Sequence, residues 1–365
     1  MNKIIYLDAA ASSLKSEAVI AAETDFLRNK YANAGRGVCA RAAAVDKMVA
    51  DARARVARFV GCGDENIVFT SGTTDAMNRI VNIVMGELGG AVRVAVSDMD
   101  HHSARMPWAQ HPRADIYVCP LNSDYDYDIS NIPMADVFVI TAMSNVFGRG
   151  QDVAAIVRAA RAKNPNVITI VDAAQYVVHD AIDVAAWGCD FMCFSAHKIG
   201  ADTGLGVMYV KDVARWRPDK FGGGMVSRIV DGAVVFDAPP HVFEAGTLPL
   251  TQIAGLAPAI DFLEKNRPDL GLIKYMYDEL EKNPRIKILT SRDAAVLSFI
   301  VRDMAPIDFG VLAGARGLCM RVGNMCATWA HQMIGIDGSI RISVGPWNTN
   351  DDARAAVKII HDVAK

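Results

Sequence analysis

Two stretches decide the fold of this 365-residue chain: VITIVDAAQ at residues 167–175 and DFMCFSAHK at 190–198. Each is a short apolar run that is followed at once by polar residues. Short apolar runs rich in branched side chains are typical of strands buried on both faces of a parallel sheet. Similar runs occur at 91–97 (AVRVAVS), 115–119 (DIYVC) and 136–141 (DVFVIT), so we predict buried parallel strands there as well. NIVFT at 66–70 and GVMYVK at 206–211 predict two further strands.

Helical patterns alternate with these strands. Residues 45–60 place one apolar face on a helix, formed by Val45, Met48, Val49, Ala52, Val56 and Val60. Further helices are predicted after residue 72 and over 153–163. This alternation predicts an α/β domain with a mainly parallel seven-stranded sheet and helices on both faces.

The pattern changes after about residue 250. Helical segments at 251–265, 275–282 and 351–365 are mixed with short strands at 295–301, 319–323 and 339–345. These elements predict a smaller α+β C-terminal domain around an antiparallel sheet. We place the large domain at 15–257 and the small one at 1–14 and 258–365.

Composition excludes several classes of protein. The net charge is −3, with 52% hydrophobic and 22% charged residues, which favours neither a nucleic-acid groove nor a membrane surface. The N-terminus reaches Asp8 too early for a signal peptide, and no apolar run approaches the ~18 residues of a membrane helix. These features predict a cytoplasmic protein. The seven cysteines are odd in number and lack a C-x-x-C pair, so we expect neither a disulfide framework nor a metal site.

Ligands of open α/β sheets bind beyond the carboxyl ends of the strands, so polar residues at those ends are candidates. Residues 71–74 (SGTT) begin a helix and suit a phosphate, although a plain helix cap is an alternative. His101 follows one strand and, by itself, is equally explained as a solvated side chain. Asp172 either caps a helix or pairs with a buried cation. Lys198 either extends to solvent or acts as an amine of lowered pKa.

Taken together, these residues form the set that pyridoxal 5′-phosphate (PLP) requires. Asp172 faces a protonated ring nitrogen, His101 covers a ring face and Lys198 supplies the amine. The other members of the set serve the phosphate and the phenolate oxygen of the cofactor: they are Thr73, Thr74, Asn145 and Gln175.

Longer motifs carry a family resemblance over nearly the whole chain. They are YLDAAASS (6–13), FTSGTTDAMN (69–78), MDHHSARMPW (99–108), SNVFGRG (144–150), VDAAQ (171–175), DFMCFSAHKIGADTGLGVMYVK (190–211), FEAGTLPLTQIAGLAPAIDFL (243–263), RVGNMCA (321–327) and RISVGPWNT (341–349). With these motifs the sequence resembles the class V aminotransferase group of fold-type I PLP enzymes. More narrowly, it is similar to the cysteine desulfurase and selenocysteine lyase family.

The resemblance implies a role for each matching residue. Lys198 carries the cofactor, Asp172 pairs with its ring nitrogen, and His101 stacks on its ring. Gln175 and Asn145 contact the ring oxygen and the substrate side. The phosphate is bound by Thr73, Thr74, Ser195 and His197, and by Thr247 from a neighbouring subunit, so a homodimer is implied. Substrate-side residues are Arg341, which binds the α-carboxylate, Arg321, Arg36 and Asn145.

Cys326 matches the nucleophile that takes sulfur from L-cysteine and becomes a persulfide, and Arg321 is expected to favour its thiolate. The short interval from Cys326 to Arg341 resembles the short-loop subgroup, which passes sulfur to an acceptor protein. Asn324-Met325 precede Cys326 where the family often has His, and Gly35 replaces a His before Arg36. Selenocysteine lyase activity, another class V reaction on a different amino acid, and a non-catalytic binding role stay open at this point.

Overall fold

The computed structural model describes residues 4–35 and 37–365. In chain order the strands and α-helices of these residues are β1 (Ile5–Tyr6), α1 (Glu17–Asp25), α2 (Ala40–Val60), β2 (Ile67–Thr70), α3 (Thr73–Glu87), β3 (Val92–Val96), α4 (His102–Ala109), β4 (Ala114–Val118), β5 (Val137–Thr141), α5 (Val153–Lys163), β6 (Ile168–Asp172), α6 (Tyr176–His179), α7 (Val184–Trp187), β7 (Phe191–Ser195), β8 (Gly206–Val210), β9 (Val226–Val230), β10 (Ala233–Phe236), α8 (Leu250–Lys265), α9 (Leu270–Leu280), β11 (Ile286–Ile288), β12 (Leu297–Val301), α10 (Pro306–Gly314), β13 (Leu318–Cys319), β14 (Arg321–Gly323), α11 (Thr328–Met333), β15 (Ser339–Ile342) and α12 (Asn350–Val363).

A seven-stranded sheet forms the centre of the large lobe, in the order β2-β8-β7-β6-β5-β3-β4. Neighbouring strands are parallel except where β8 pairs antiparallel with β2 and β7. The predicted α/β fold with a mainly parallel seven-stranded sheet is therefore confirmed. Because β5, β6 and β7 are parallel, their carboxyl ends lie side by side at the same end of the sheet.

Successive residues of each strand face opposite sides of this sheet, and both sides are apolar. Phe138 and Ile140 of β5 belong to one core, with the inner faces of α2, α5 and α8. Val137 and Val139 belong to the other core, with α3 and α4. Burying a side chain of this size contributes about 1.5–3 kcal/mol to the free energy of unfolding. Packing on both faces therefore stabilises the sheet.

The prediction that 115–119 is a fully buried strand is wrong. β4 lies at the end of the sheet, and Tyr117 and Val118 are 45% and 44% exposed. An edge strand has one neighbour instead of two, so apolar composition alone does not bury it.

The small lobe contains a four-stranded antiparallel sheet in the order β11-β12-β15-β14. The sequence predicted an antiparallel sheet but not β11, and the single strand predicted at 319–323 is divided into β13 and β14. Its core also receives Ile5 and Leu7, because β1 pairs with β13. The N-terminal residues thus pack with the C-terminal third of the chain. The boundary at 257/258 stays a prediction; it falls inside α8, whose side chains as far as Leu263 pack in the core of the large sheet.

A β-hairpin that the sequence analysis did not predict projects from the large lobe. Its strands β9 and β10 pair antiparallel and are almost entirely exposed. Asp231 and Gly232 form the turn with φ of 49° and 80°, the left-handed geometry that an Asp-Gly turn adopts readily.

Among the described helices, none combines the length and apolar character that a membrane span requires.

Candidate active site

A cavity of about 470 Å³ lies between the carboxyl edge of the large sheet and the small lobe. It gathers the predicted residues Thr73, Thr74, His101, Asn145, Asp172, Gln175, Ser195, His197, Lys198, Arg321, Cys326 and Arg341. Thr247 is exposed and does not line this cavity. Arg36 lies outside the described residues. The roles assigned to all these side chains stay predictions.

Lys198 enters the cavity from the short turn that follows β7. Burial lowers the pKa of its amine to about 8, and the nearby positive charge of Arg341 acts in the same direction. The carboxylate of Asp172 opposes this change. A substantial fraction of the amine is therefore neutral near pH 8, which is the form that attacks a carbonyl group.

Asp172 ends the buried strand β6 and is 4% exposed. Burial raises its pKa, while the N–H of Ala174, which donates to Oδ1 at 2.9 Å, and the charge of Lys198 lower it. A carboxylate in this setting gains from a cationic partner in the cavity. A protonated ring nitrogen is such a partner.

Hydroxyl groups and a helix N-terminus converge at the start of α3. The hydroxyl of Ser195 accepts from the N–H of Thr73 at 2.8 Å and lies 2.8 Å from the Thr73 hydroxyl. Gly72 caps this helix with a φ of 148°, and a Cβ at Gly206 would stand 2.5 Å from its Cα. The close approach requires glycine at Gly206 and leaves the helix end open to an anion.

His197 and His101 are both held neutral. Burial, with Lys198 and Lys15 nearby, lowers the pKa of His197 to about 4. Burial and Lys198 likewise lower the pKa of His101 to about 3. His101 caps α4, and its Nδ1 accepts from the N–H of Ser103 at 3.1 Å. Its uncharged ring is therefore fixed in orientation at the cavity wall, as stacking on a flat ligand requires.

Three buried polar atoms at this cavity have no hydrogen-bond partner among the described residues: Asn145 Oδ1, Gln175 Oε1 and Arg341 Nε. The amide nitrogen of Asn145 donates to the Met325 carbonyl at 2.9 Å, and that of Gln175 donates to the Ala10 carbonyl at 2.7 Å. Each amide nitrogen has a second hydrogen available. Buried orphan atoms are costly, so their presence fits a ligand that carries both donors and acceptors. The residues present therefore fit PLP with a bound amino acid.

Both arginines of the cavity contact Asp8, a residue to which the sequence analysis gave no role. Arg321 Nη2 lies 2.6 Å from Asp8 Oδ2, and Arg341 Nη2 lies 3.2 Å from Oδ1. Arg341 Nη1 also donates to the Asn145 carbonyl at 3.0 Å. Asp8 thus orients Arg341 while leaving its Nε unpaired. Asp8 lies in the family motif YLDAAASS, which could have identified it. It does not follow a predicted strand of the large sheet, so the search of strand ends missed it.

Cys326 is exposed at the side of the cavity formed by the small lobe. It follows β14 in a loop where Met325 and Cys326 have φ of 51° and 55°. Arg321 forms an ion pair with Asp8, which offsets part of its positive charge. The expected stabilisation of the Cys326 thiolate by Arg321 therefore stays a prediction.

A second acidic residue that the sequence analysis did not single out lies beneath the cavity wall. Asp100 is fully buried and accepts from the Thr141 hydroxyl at 2.7 Å and the Ser97 N–H at 2.8 Å. Burial raises its pKa to about 7. These bonds fix Thr141, at the end of β5, to the segment that leads to His101.

Comparison with known proteins adds independent information. The chain matches the family model for class-V aminotransferases over residues 5–355. It is 30% identical to a cysteine desulfurase of Serratia proteamaculans, over 99% of this chain and 94% of that protein. It is 31% identical to a probable cysteine desulfurase of Pseudomonas putida, over 96% of this chain and 91% of that protein.

Solved structures agree. The cysteine desulfurase CsdA from Escherichia coli superposes with a TM-score of 0.90 at 29% identity, covering 99% of this chain and 94% of that one. An apo cysteine desulfurase from Thermococcus onnurineus superposes with a TM-score of 0.94 at 25% identity, with the same two coverages of 99% and 94%.

Proposed function

The chain belongs to the class-V aminotransferase family and, within it, to the cysteine desulfurases, and from this premise we propose that it binds PLP through Lys198 and removes sulfur from L-cysteine. The products are L-alanine and a persulfide on Cys326, from which an acceptor takes the sulfur. The family resemblance and the fold-type I architecture predicted from the sequence are confirmed by the same relatives.

The observation that carries the proposal is a cavity in which Lys198, Asp172 and Cys326 lie together. When bound, PLP supplies an electron-withdrawing ring that stabilises negative charge on the α-carbon of an attached amino acid. Asp172 would hold the ring nitrogen protonated, and His101 would cover one face. The hydroxyls of Thr73 and Ser195, with Thr74 and His197, would hold the phosphate.

Substrate binding follows from the unpaired atoms. Arg341 is 2% exposed and retains a free Nε, so it can donate to the α-carboxylate of an amino acid. The orphan oxygens of Asn145 and Gln175 can accept from an ammonium group. Lys198, with its pKa near 8, can take a proton from the α-carbon and return one.

Cys326 carries the sulfur-transfer step. Its thiolate attacks the sulfur of the substrate, so a sulfur–sulfur bond forms and the carbon–sulfur bond of the substrate breaks. The electron pair stays on the substrate carbon, which takes up a proton and becomes the methyl group of alanine. The persulfide on Cys326 is then reduced by a thiol, which receives the sulfur. Because Cys326 is exposed, an acceptor protein can reach it.

A homodimer is part of the proposal. Thr247 is exposed and is not among the residues that line the cavity of its own chain, which suits a residue that serves a neighbouring subunit. The described cysteines are all free thiols, and Cys326 must be reduced to act, so a reducing, cytoplasmic compartment fits the proposal.

The test measures sulfide and alanine released from L-cysteine by the PLP-loaded protein in the presence of a thiol reductant. We expect equal molar amounts from the wild type, and neither product from Lys198→Ala. Cys326→Ser is expected to abolish sulfide release while keeping the cofactor absorbance band. Wild-type sulfide release by Cys326→Ser would instead favour a lyase that does not use this thiol, and turnover of selenocysteine alone would favour the selenocysteine lyase alternative.

A further inference from the structure

The loop that carries Cys326 adopts an unfavourable backbone conformation. Met325 and Cys326 are consecutive non-glycine residues with φ of 51° and 55°. Side chains with a Cβ rarely occupy this left-handed region, and two in succession are rarer still. Inside the loop, the Asn324 side chain accepts from the Cys326 N–H at 3.2 Å. Contacts from outside the loop add to this bond.

Those contacts come from the walls of the cavity. The amide of Asn145 donates to the Met325 carbonyl at 2.9 Å. The backbone N–H of His102 donates to the Cys326 carbonyl at 2.7 Å. On the other side of Cys326, Nε2 of the same histidine accepts from the N–H of Thr328 at 3.3 Å and lies 3.0 Å from the Thr328 hydroxyl. His102 therefore contacts the chain both at Cys326 and two residues beyond it.

The bonding pattern fixes the state of the His102 ring. Because the Thr328 N–H donates to Nε2, this nitrogen carries a lone pair and the ring proton resides on Nδ1. Burial lowers the pKa of His102, in agreement with a neutral ring. The edge of the ring also packs against Trp329, with ring centroids 5.4 Å apart and planes at 79°.

Arg105 extends this contact to the rest of the large lobe. Its guanidinium lies 4.2 Å from the centroid of the Trp329 ring and forms an ion pair with Asp98 at 2.8 Å. The segment 98–105, which carries His101, is thereby attached to helix α11 immediately after Cys326.

We propose that His102 is a positioning residue for Cys326: through Nε2 it holds the loop so that the thiol faces the Lys198 side of the cavity. The inference rests on the proposed function, because it concerns the residue that the reaction uses as nucleophile. Its neighbour His101 faces the cavity, so one short segment sets both the cofactor-facing ring and the nucleophile.

Two amide variants differ only in reach and test this role in the PLP-loaded enzyme. The side-chain oxygen of Gln in His102→Gln can occupy the place of Nε2, whereas that of Asn in His102→Asn stops one methylene short. His102→Phe keeps a ring edge on Trp329 but has no acceptor. Turnover of L-cysteine, its KM, the cofactor absorbance band and the melting temperature are measured for all three variants, with Cys326→Ser alongside.

We expect His102→Asn and His102→Phe to lower kcat about tenfold to a hundredfold, because a small misplacement of a reacting group has effects of that size. KM and the absorbance band should stay at wild-type values, since Lys198, Asp172 and Arg341 are untouched. His102→Gln should recover most of kcat. A purely structural role would lower the melting temperature without this recovery.

Three results would overturn the inference, and they are distinguishable. If Cys326→Ser is inactive but His102→Asn and His102→Phe turn over at the wild-type rate, His102 does not position the thiol. If Cys326→Ser keeps wild-type turnover, the proposed function itself fails and the inference fails with it. Equal loss in the Gln and Asn variants would also contradict it, because the acceptor atom would then be irrelevant.

Discussion

Replacing Glu244 by Gln is expected to destabilise the protein strongly, because the change removes one charge from a buried ion pair. The carboxylate of Glu244 accepts from both terminal nitrogens of Arg53 at 2.7 Å and from the N–H of Phe69 at 2.7 Å. The side chains of Arg53 and Glu244 are 5% and 2% exposed. A glutamine leaves the guanidinium in the core without a counter-charge and turns an NH₂ group towards it.

The magnitude follows from burial. Breaking a buried ion pair by removing one partner costs about 3–5 kcal/mol. With an entropy of unfolding of about 2.1 cal/mol/K per residue, a chain of this length should lose about 4–6 °C in melting temperature.

The assay is thermal unfolding followed by circular dichroism, with an exposed pair as control. Arg292 and Asp278 are joined by two bonds of 2.6 and 2.7 Å, but their side chains are 52% and 43% exposed. Asp278→Asn should therefore shift the melting temperature by about 1 °C or less. Equal shifts for the two variants would refute the reasoning, because both carboxylates accept two short bonds from an arginine and differ mainly in burial and in the Phe69 N–H that Glu244 also accepts.

Two further predictions concern the cofactor site. The rate at which the apo-protein takes up PLP should rise with pH with a midpoint near 8, since burial lowers the pKa of Lys198 to that value and only the neutral amine reacts. Asp172→Asn should move the midpoint to lower pH, because the Asp172 carboxylate raises this pKa. An unchanged midpoint in stopped-flow absorbance would contradict the assignment. Gly206→Ala should weaken PLP binding at least tenfold in an absorbance titration. The new methyl group would lie 2.5 Å from Cα of Gly72 and displace Thr73. Unchanged affinity would show that PLP binding does not need this close approach.

Three of the cavity residues that sequence reasoning found share one property. Asn145, Asp172 and Lys198 each follow the carboxyl end of a buried strand, where chain order and a parallel sheet dictate proximity. Local pattern and fold class are sufficient to predict that these three residues lie close together.

Residues that the sequence did not reveal depend on contacts between distant parts of the chain. Asp8 joins the cavity because β1 pairs with β13 more than 300 positions later, a pairing of two residues per strand that has no periodic signal. His102 contacts Thr328, 226 positions later in the chain, so its position beside His101 suggested nothing about Cys326. The hairpin at 226–236 had a recognisable Asp231-Gly232 turn, but its exposed strands lack the apolar alternation that marks a half-buried sheet.

The way in which the first residues of the chain are used has a consequence for biosynthesis. The N–H of Ala10 donates to the hydroxyl of Ser343, 333 positions away, and the Ala10 carbonyl accepts from Gln175. The ion pairs of Asp8 likewise require Arg321 and Arg341, which are synthesised more than 300 residues later. A ribosome can release the whole large sheet, with Lys198 in place, before the partners of this early segment have emerged. A nascent chain therefore has the amine long before it has the finished pocket, because the contacts that orient Arg341 form only after residue 343 has been made.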